Sequence, residues 1–140
     1  MVNAFDVEPS RLIAKVSEKL KGVVDKPAWV GLVKSGSHAE RLPAEEDFWY
    51  KRCASLLWQA YSRGVVGVNK LRNHYGGSKN RGVKPSKHRR AGGSLVRKGF
   101  MALEKAGFMK KEKTGRSLTG KGRKLLDNTA HEIEKGAANG

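Results

Sequence analysis

Residues 103–122 read LEKAGFMKKEKTGRSLTGKG, and this stretch decides the fold class. Gly107 is a typical helix end, and beyond it two short runs of strand-forming residues flank a Lys-Thr-Gly turn, which predicts a hairpin over about 108–118. Thr119 is a suitable N-cap for a following helix. The order helix, basic hairpin, helix predicts the wing of a winged helix-turn-helix protein.

The chain before this stretch is predicted to be helical. Apolar residues recur at helical spacing from Pro9 to Lys21, and a short helix is expected to begin at Pro27. A longer helix from about Glu45 to Arg63 is apolar on nearly every side, which is typical of a helix with others packed around it. Short helices are expected over Val68–Tyr75 and over Ser94–Ala106. We therefore predict a mainly α fold, with helices packed around a central helix, winged-helix-like with one short β-hairpin.

The size of the chain fits a single domain over residues 1–140, with one core of modest size. Cys53 is the one cysteine, so no internal disulfide is possible, and its apolar neighbours indicate a buried thiol. Residues 1–6 lack the basic start and apolar run of a secretion signal, and the longest apolar runs are far too short to span a bilayer. The expected location is the cytoplasm.

The positive charge is large and uneven. Lys and Arg number 29 against 13 Asp and Glu, a formal net charge of +16. Residues 51–100 hold 13 basic residues and no acidic one, whereas residues 1–50 hold 7 and 8, and residues 101–140 hold 9 and 5. No carboxylate side chain occurs between Asp47 and Glu104. Because a surface selected for solubility mixes both signs, this distribution predicts a polyanionic partner: RNA, DNA or, least favoured, an anionic membrane.

The strongest local signal for RNA is the glycine-rich basic tract over residues 75–97. Glycine lets the backbone approach phosphate closely, and arginine adds bidentate contacts and stacking on bases. The alternative is a disordered basic linker. We predict a basic loop over about 76–93 with no regular core element. The candidate RNA-binding residues are Arg52, Arg63, Lys70, Arg72, Lys79, Arg81, Lys84, Lys87, Arg89, Arg90, Arg97 and Lys98.

Some of these side chains have two interpretations. Arg52 lies near Phe48 and Trp49 at helical spacing, so its guanidinium is expected either to stack on an aromatic ring or to reach a phosphate, with phosphate slightly favoured. Trp29 and Trp58 stand among apolar neighbours and are expected in the core. Trp49 has two alternatives, a position in the core or a contact with RNA, because three consecutive aromatic residues cannot all share one face of a helix.

Nothing in the sequence predicts catalysis. The histidines His38, His74, His88 and His131 are scattered, no Cys–His spacing fits a zinc site, and no phosphate-binding loop signature is present. We therefore expect no enzyme activity, no catalytic residue, no metal ion, no cofactor and no small-molecule substrate.

A series of short strings in fixed order gives a more specific indication. The matching segments are PAWV (27–30), FWYKRCAS (48–55), YSRG (61–64), YGG (75–77), NRGVKPS (80–86) and LTGKGR (118–123). On these segments the chain resembles, nearly end to end, the small-subunit ribosomal protein nineteen family of the archaeal and eukaryotic type. It looks archaeal rather than eukaryotic.

The resemblance implies a place in the head of the small ribosomal subunit, against ribosomal RNA and next to other ribosomal proteins, with a role in subunit maturation. It implies that Arg52 and Arg97 lie on a basic face that matters for assembly. Trp58 departs from the family pattern, which has Arg there, so the resemblance gives no support for an RNA contact at that position.

The main alternative function is that of a winged-helix DNA-binding transcriptional regulator. Against it stand the basic glycine-rich insertion between the paired helices and the lack of a convincing dimerisation helix, since such regulators usually bind twofold sites as dimers. The sequence therefore favours an RNA-binding protein that is a monomer when free. A peripheral membrane protein is the third alternative.

Overall fold

A computed structural model describes residues 4–24, 48–75, 77–81, 84–89 and 93–139 of the chain. After a 3-10 helix at Ala4–Asp6, the elements are α1 (Pro9–Leu20), α2 (Phe48–Arg63), α3 (Val68–Tyr75), β1 (Gly77–Arg81), β2 (Lys84–Arg89), α4 (Gly93–Lys105), β3 (Met109–Glu112), β4 (Gly115–Leu118) and α5 (Gly120–Asn139). No helix in these ranges is long and apolar enough to cross a membrane.

Helix α2 lies at the centre of the fold, as predicted. Helices α1, α4 and α5 and strand β4 all pack against it, because apolar side chains recur around most of its circumference. Its buried residues are Trp49, Cys53, Ala54, Leu56, Leu57, Gln59, Ala60 and Tyr61. Cys53 is fully buried, which confirms the predicted buried thiol, and burial raises the pKa of the thiol to about 12. The fold class, mainly α and winged-helix-like, is confirmed.

The wing follows α4 as expected. Strands β3 and β4 pair antiparallel from Met109 opposite Leu118 to Glu112 opposite Gly115. Gly107 ends the preceding helix with a φ of 88°, and Thr119 accepts a hydrogen bond from the backbone of Gly122 at 3.3 Å, which makes it the N-cap of α5. Both end signals read from the sequence are confirmed.

A third backbone segment extends the wing. Val66, in the turn between α2 and α3, exchanges two backbone hydrogen bonds with Arg116, of 2.9 and 2.8 Å. The Arg116 guanidinium also donates through Nε to Glu104 of α4 at 2.6 Å. The wing is therefore fixed both to α4 and to the end of the central helix.

The prediction of a loop without regular elements over about 76–93 is wrong. Strands β1 and β2 form a second antiparallel hairpin there, irregular between Lys79 and Arg81. The strands leave no signal in the sequence, because a strand is recognised by alternating apolar residues and this basic tract has almost none. Backbone pairing needs no such alternation. The described residues therefore form two hairpins rather than one.

Several expectations lie outside the described residues, among them the helix at Pro27, the side chain of Trp29 and the start of the central helix at Glu45–Asp47. Helix α4 begins at Gly93, so Ser94 lies in its first turn instead of preceding it.

The close approach of the wing to Val66 predicts a strong effect at Gly115. A Cβ at this position would overlap the backbone carbonyl of Val66, with its carbon only 2.8 Å away. We expect Gly115→Ala to lower the free energy of unfolding by about 1–3 kcal/mol, since a backbone cannot give way as a flexible side chain can. Thermal denaturation measures this.

The matched control is Gly136→Ala, on α5, where a Cβ would meet nothing within 4 Å. This change is expected to be neutral or slightly stabilising, because alanine favours helix over glycine. Equal melting temperatures for the two variants would contradict the tight packing at Gly115.

Candidate nucleic-acid interface

The stretch without carboxylates folds into adjacent elements. It covers α2, α3, β1, β2 and the first part of α4, and both α2 and α3 pack against α4. Lys70 on α3 and Arg97 and Lys98 on α4 are exposed. Arg72 is half-buried and already engaged in a contact. The tertiary structure thus gathers the candidate residues of these helices on neighbouring elements.

The second hairpin concentrates charge further. Its register places Lys79 opposite Lys87 and Arg81 opposite Lys84, while Arg89 is opposite Gly77. Two of these pairs are basic on both strands, within the stretch of sequence that has no acidic residue. Arg90 lies outside the described residues.

Arg52 takes the aromatic alternative. Its guanidinium lies over the Tyr75 ring, 3.9 Å from the centroid, and 5.2 Å from the centroid of Phe48. Desolvation by burial lowers the pKa of Arg52, partly offset by Tyr75 and Cys53. Its Nη1 atom is buried without a hydrogen-bond partner. The stacking alternative is thus present in the structure, where it joins α2 to α3, and the slightly favoured phosphate contact of Arg52 stays a prediction.

Arg63 is part of a hydrogen-bonded chain that the sequence did not indicate. Its Nε donates to Gln59 Oε1 at 2.8 Å, and Gln59 Nε2 lies 3.1 Å from His74 Nε2. Arg52, Gln59 and Arg63 are spaced seven and four residues apart, which puts them on one side of α2. That spacing was a usable signal for Gln59. No sequence signal pointed to His74, which comes from another helix.

The tryptophans separate into two environments. Trp49 is fully buried, so of its two alternatives the position in the core is the one that the structure shows. Trp58 is half-buried and packs against the core, stacked on Tyr61 with ring centroids 6.0 Å apart. Phe5, 59% exposed, meets both Trp58 and Tyr61 edge-on. This aromatic cluster lies on a different side of α2 from Arg52 and Arg63.

No group of three or more metal-ligating side chains occurs within the part of the chain that the structure describes. The arrangement of the basic residues fits the binding of a polyanion by charge and hydrogen bonding.

The chain is similar to one known family and to several named proteins. The family model described as Ribosomal protein S19e matches residues 3–136. A relative from Aeropyrum pernix named small ribosomal subunit protein eS19 is 45% identical over 95% of this chain and 90% of its own length. The protein of the same name from Haloarcula marismortui is 39% identical, over 95% and 92%. Small ribosomal subunit protein eS19A of Schizosaccharomyces pombe is 38% identical over 94% of each chain.

Proposed function

The chain belongs to the ribosomal protein S19e family, and on that premise we propose that it is a structural constituent of the small ribosomal subunit in the cytoplasm. In this proposal it binds ribosomal RNA in the head of the subunit, lies next to other ribosomal proteins there, and supports subunit maturation. Its role is binding, without an enzymatic reaction.

One observation carries the proposal of RNA binding. The 13 basic residues between positions 51 and 100 have no acidic residue among them, and all except Arg90 lie in α2, α3, the second hairpin or α4; helices α2 and α3 both pack against α4. Phosphate contacts of this kind fix the orientation of a protein on nucleic acid. The twelve candidate residues named from the sequence remain the proposed RNA-binding set. The stacking of Arg52 on Tyr75 also holds α3 in place.

Arg97→Glu tests this surface directly. Arg97 is exposed on α4, so replacing it should leave the melting temperature nearly unchanged, because exposed substitutions typically alter stability by at most about 0.5 kcal/mol. A reversed charge facing phosphate should lower incorporation into small subunits strongly. The measurement is cosedimentation with small subunits through a high-salt sucrose gradient.

Arg11→Glu on α1 is the matched control, since it makes the same change in net charge at an exposed residue outside the basic stretch. It is expected to enter subunits as the unmodified protein does. If Arg97→Glu is incorporated equally well, α4 does not face RNA. Binding to duplex DNA more tightly than to structured RNA at equal salt would favour the regulator instead.

A further inference from the structure

Helices α2 and α3 are joined by a hydrogen-bonded chain whose polarity is fixed by chemistry. The Nε atom of Arg63 can only donate, so Gln59 must accept through Oε1 at 2.8 Å. The Gln59 amide nitrogen then faces His74 Nε2 at 3.1 Å and must donate to it. His74 Nε2 is therefore an acceptor, which makes the imidazole neutral with its proton on Nδ1.

The charges that act on His74 are cationic. Burial is the largest cause that lowers its pKa, followed by the charges of Arg63 and Arg52 on α2. On its own helix the ring contacts Tyr75, at 4.9 Å between centroids. Helix α4, which packs against α3, carries Arg97 and Lys98 in its first half. No carboxylate stands among the described residues from 48 to 103.

Both ends of this chain are open to a ligand. Arg63 and His74 are exposed, whereas Gln59 between them is only 7% exposed. The buried Gln59 amide is hydrogen-bonded to Arg63 and to His74, two exposed side chains that can donate hydrogen bonds. No carboxylate among described residues 48–103 balances their charge, so this arrangement suits an anion. Arginine binds phosphate oxygens with two parallel hydrogen bonds, and an imidazole N–H adds a further donor.

We propose that Arg63, held in place by Gln59, and the neighbouring His74 form a binding site for a phosphodiester of the RNA backbone, and that this site binds more tightly when His74 is protonated. The inference rests on the proposed function and specifies one of its contacts. Gln59 is a positioning residue, because it touches the two binding groups and not the phosphate.

The coupling follows from the two protonation states of the ring. Protonated His74 has donors on both nitrogens, so the hydrogen bond from Gln59 to His74 Nε2 is lost and both N–H groups of the ring can donate to the phosphate. Gln59 still accepts from Arg63 and holds that guanidinium in place. The phosphate offsets the field of the two arginines and so raises the pKa of His74. By reciprocity, protonation strengthens phosphate binding, by at most about tenfold for each unit of that rise.

Protonation of His74 strengthens phosphate binding, but in the free protein it lowers the stability of the fold. Since folding lowers the pKa of His74, its neutral form contributes stability that is present above the unfolded value of about 6.5 and is lost as the pH falls through the folded value. Phosphate binding at low pH should restore part of that stability.

A nuclear magnetic resonance titration of the histidine ring protons tests the site. The probe is sulfate, whose charge is constant from about pH 5 to 8, against chloride at equal ionic strength. The pKa of His74, assigned through His74→Gln, is expected to be higher in sulfate. The resonance of His131 on α5 serves as the internal reference. An identical pKa of His74 in both salts would overturn the proposal.

The Gln59→Leu variant separates positioning from mere proximity. Leucine fills similar space without an amide, so Arg63 and His74 lose their common partner while remaining exposed. The sulfate effect on His74 should shrink, with the melting temperature confirming that the variant is folded. A full sulfate effect in folded Gln59→Leu would remove Gln59 from the site.

Binding to single-stranded oligouridine completes the test, because neither its bases nor its phosphates change charge between about pH 5.5 and 7.5. Affinity should rise at the lower pH for the unmodified protein and for His131→Gln. The rise should be smaller for His74→Gln, whose amide cannot be protonated, and what remains comes from the other histidines, such as His88 in the basic tract. An equal pH response in His74→Gln would overturn this inference alone, whereas absence of binding at either pH in low salt would overturn the RNA role itself.

Discussion

Raising the salt concentration from about 50 to about 200 mM is expected to weaken binding of the protein to its RNA target by on the order of a thousandfold or more. The reason is that each neutralised phosphate releases condensed counterions, and the release is less favourable in high salt. The acid-free stretch offers enough basic groups to neutralise roughly six to ten phosphates. Equilibrium binding to a fragment of small-subunit RNA, at constant pH and temperature, gives the slope of log affinity against log salt concentration.

The slope also reports single contacts. Removing one phosphate contact, as in Lys98→Gln on the exposed face of α4, should reduce the slope by about one. Arg11→Gln on α1 is the control for the loss of one charge far from the contacts, and it should leave the slope unchanged. A nearly flat salt response of the unmodified protein would show that charge does not drive binding.

Leu57→Ala is expected to lower the free energy of unfolding by about 2–5 kcal/mol. Leu57 is fully buried in α2, the helix against which α1, α4 and α5 pack. Its truncation removes apolar contacts and leaves a cavity that the surrounding helices fill only in part. A loss of this size is a large share of the stability of a small domain. Urea or thermal denaturation followed by circular dichroism measures it.

Met101→Ala on α4 is the control, because Met101 is 49% exposed and also apolar. Alanine is the best helix former, so the change should alter the free energy of unfolding by no more than about 0.5 kcal/mol. If the two substitutions cost the same, α2 is not the centre of the core. Leu57→Ala protein that remains folded should still bind RNA with the same dependence on salt.

Helix α2 contributes both to the stability of the core and to the proposed RNA-binding surface. Leu57 and its buried neighbours pack against the other helices, while Arg52, Gln59 and Arg63 share a different side of the same helix. Stability and binding should thus be separable by substitution within a single helix. On the binding side, Gln59 is hydrogen-bonded to His74 and Arg52 stacks on Tyr75. These two contacts fix the side chains there independently of the apolar core.

Local signals were sufficient for most of the fold. The sequence by itself determined α1, α2, α3, α4, the wing and α5 to within a few residues, because apolar period and end residues such as Gly107 and Thr119 act within one or two turns of the chain. It also determined the acid-free stretch and the family resemblance, because charge order and motif strings need no knowledge of the fold.

Only the tertiary structure decided the contacts between distant parts of the chain. These are the pairing of β1 with β2, the backbone hydrogen bonds between Val66 and Arg116, the stacking of Arg52 on Tyr75, and the hydrogen bond between Gln59 and His74. Each joins residues from different elements through a hydrogen bond or a ring face, and such interactions leave no periodic trace in the sequence. They depend on where packing of the apolar faces brings the elements, and so they follow from the fold as a whole.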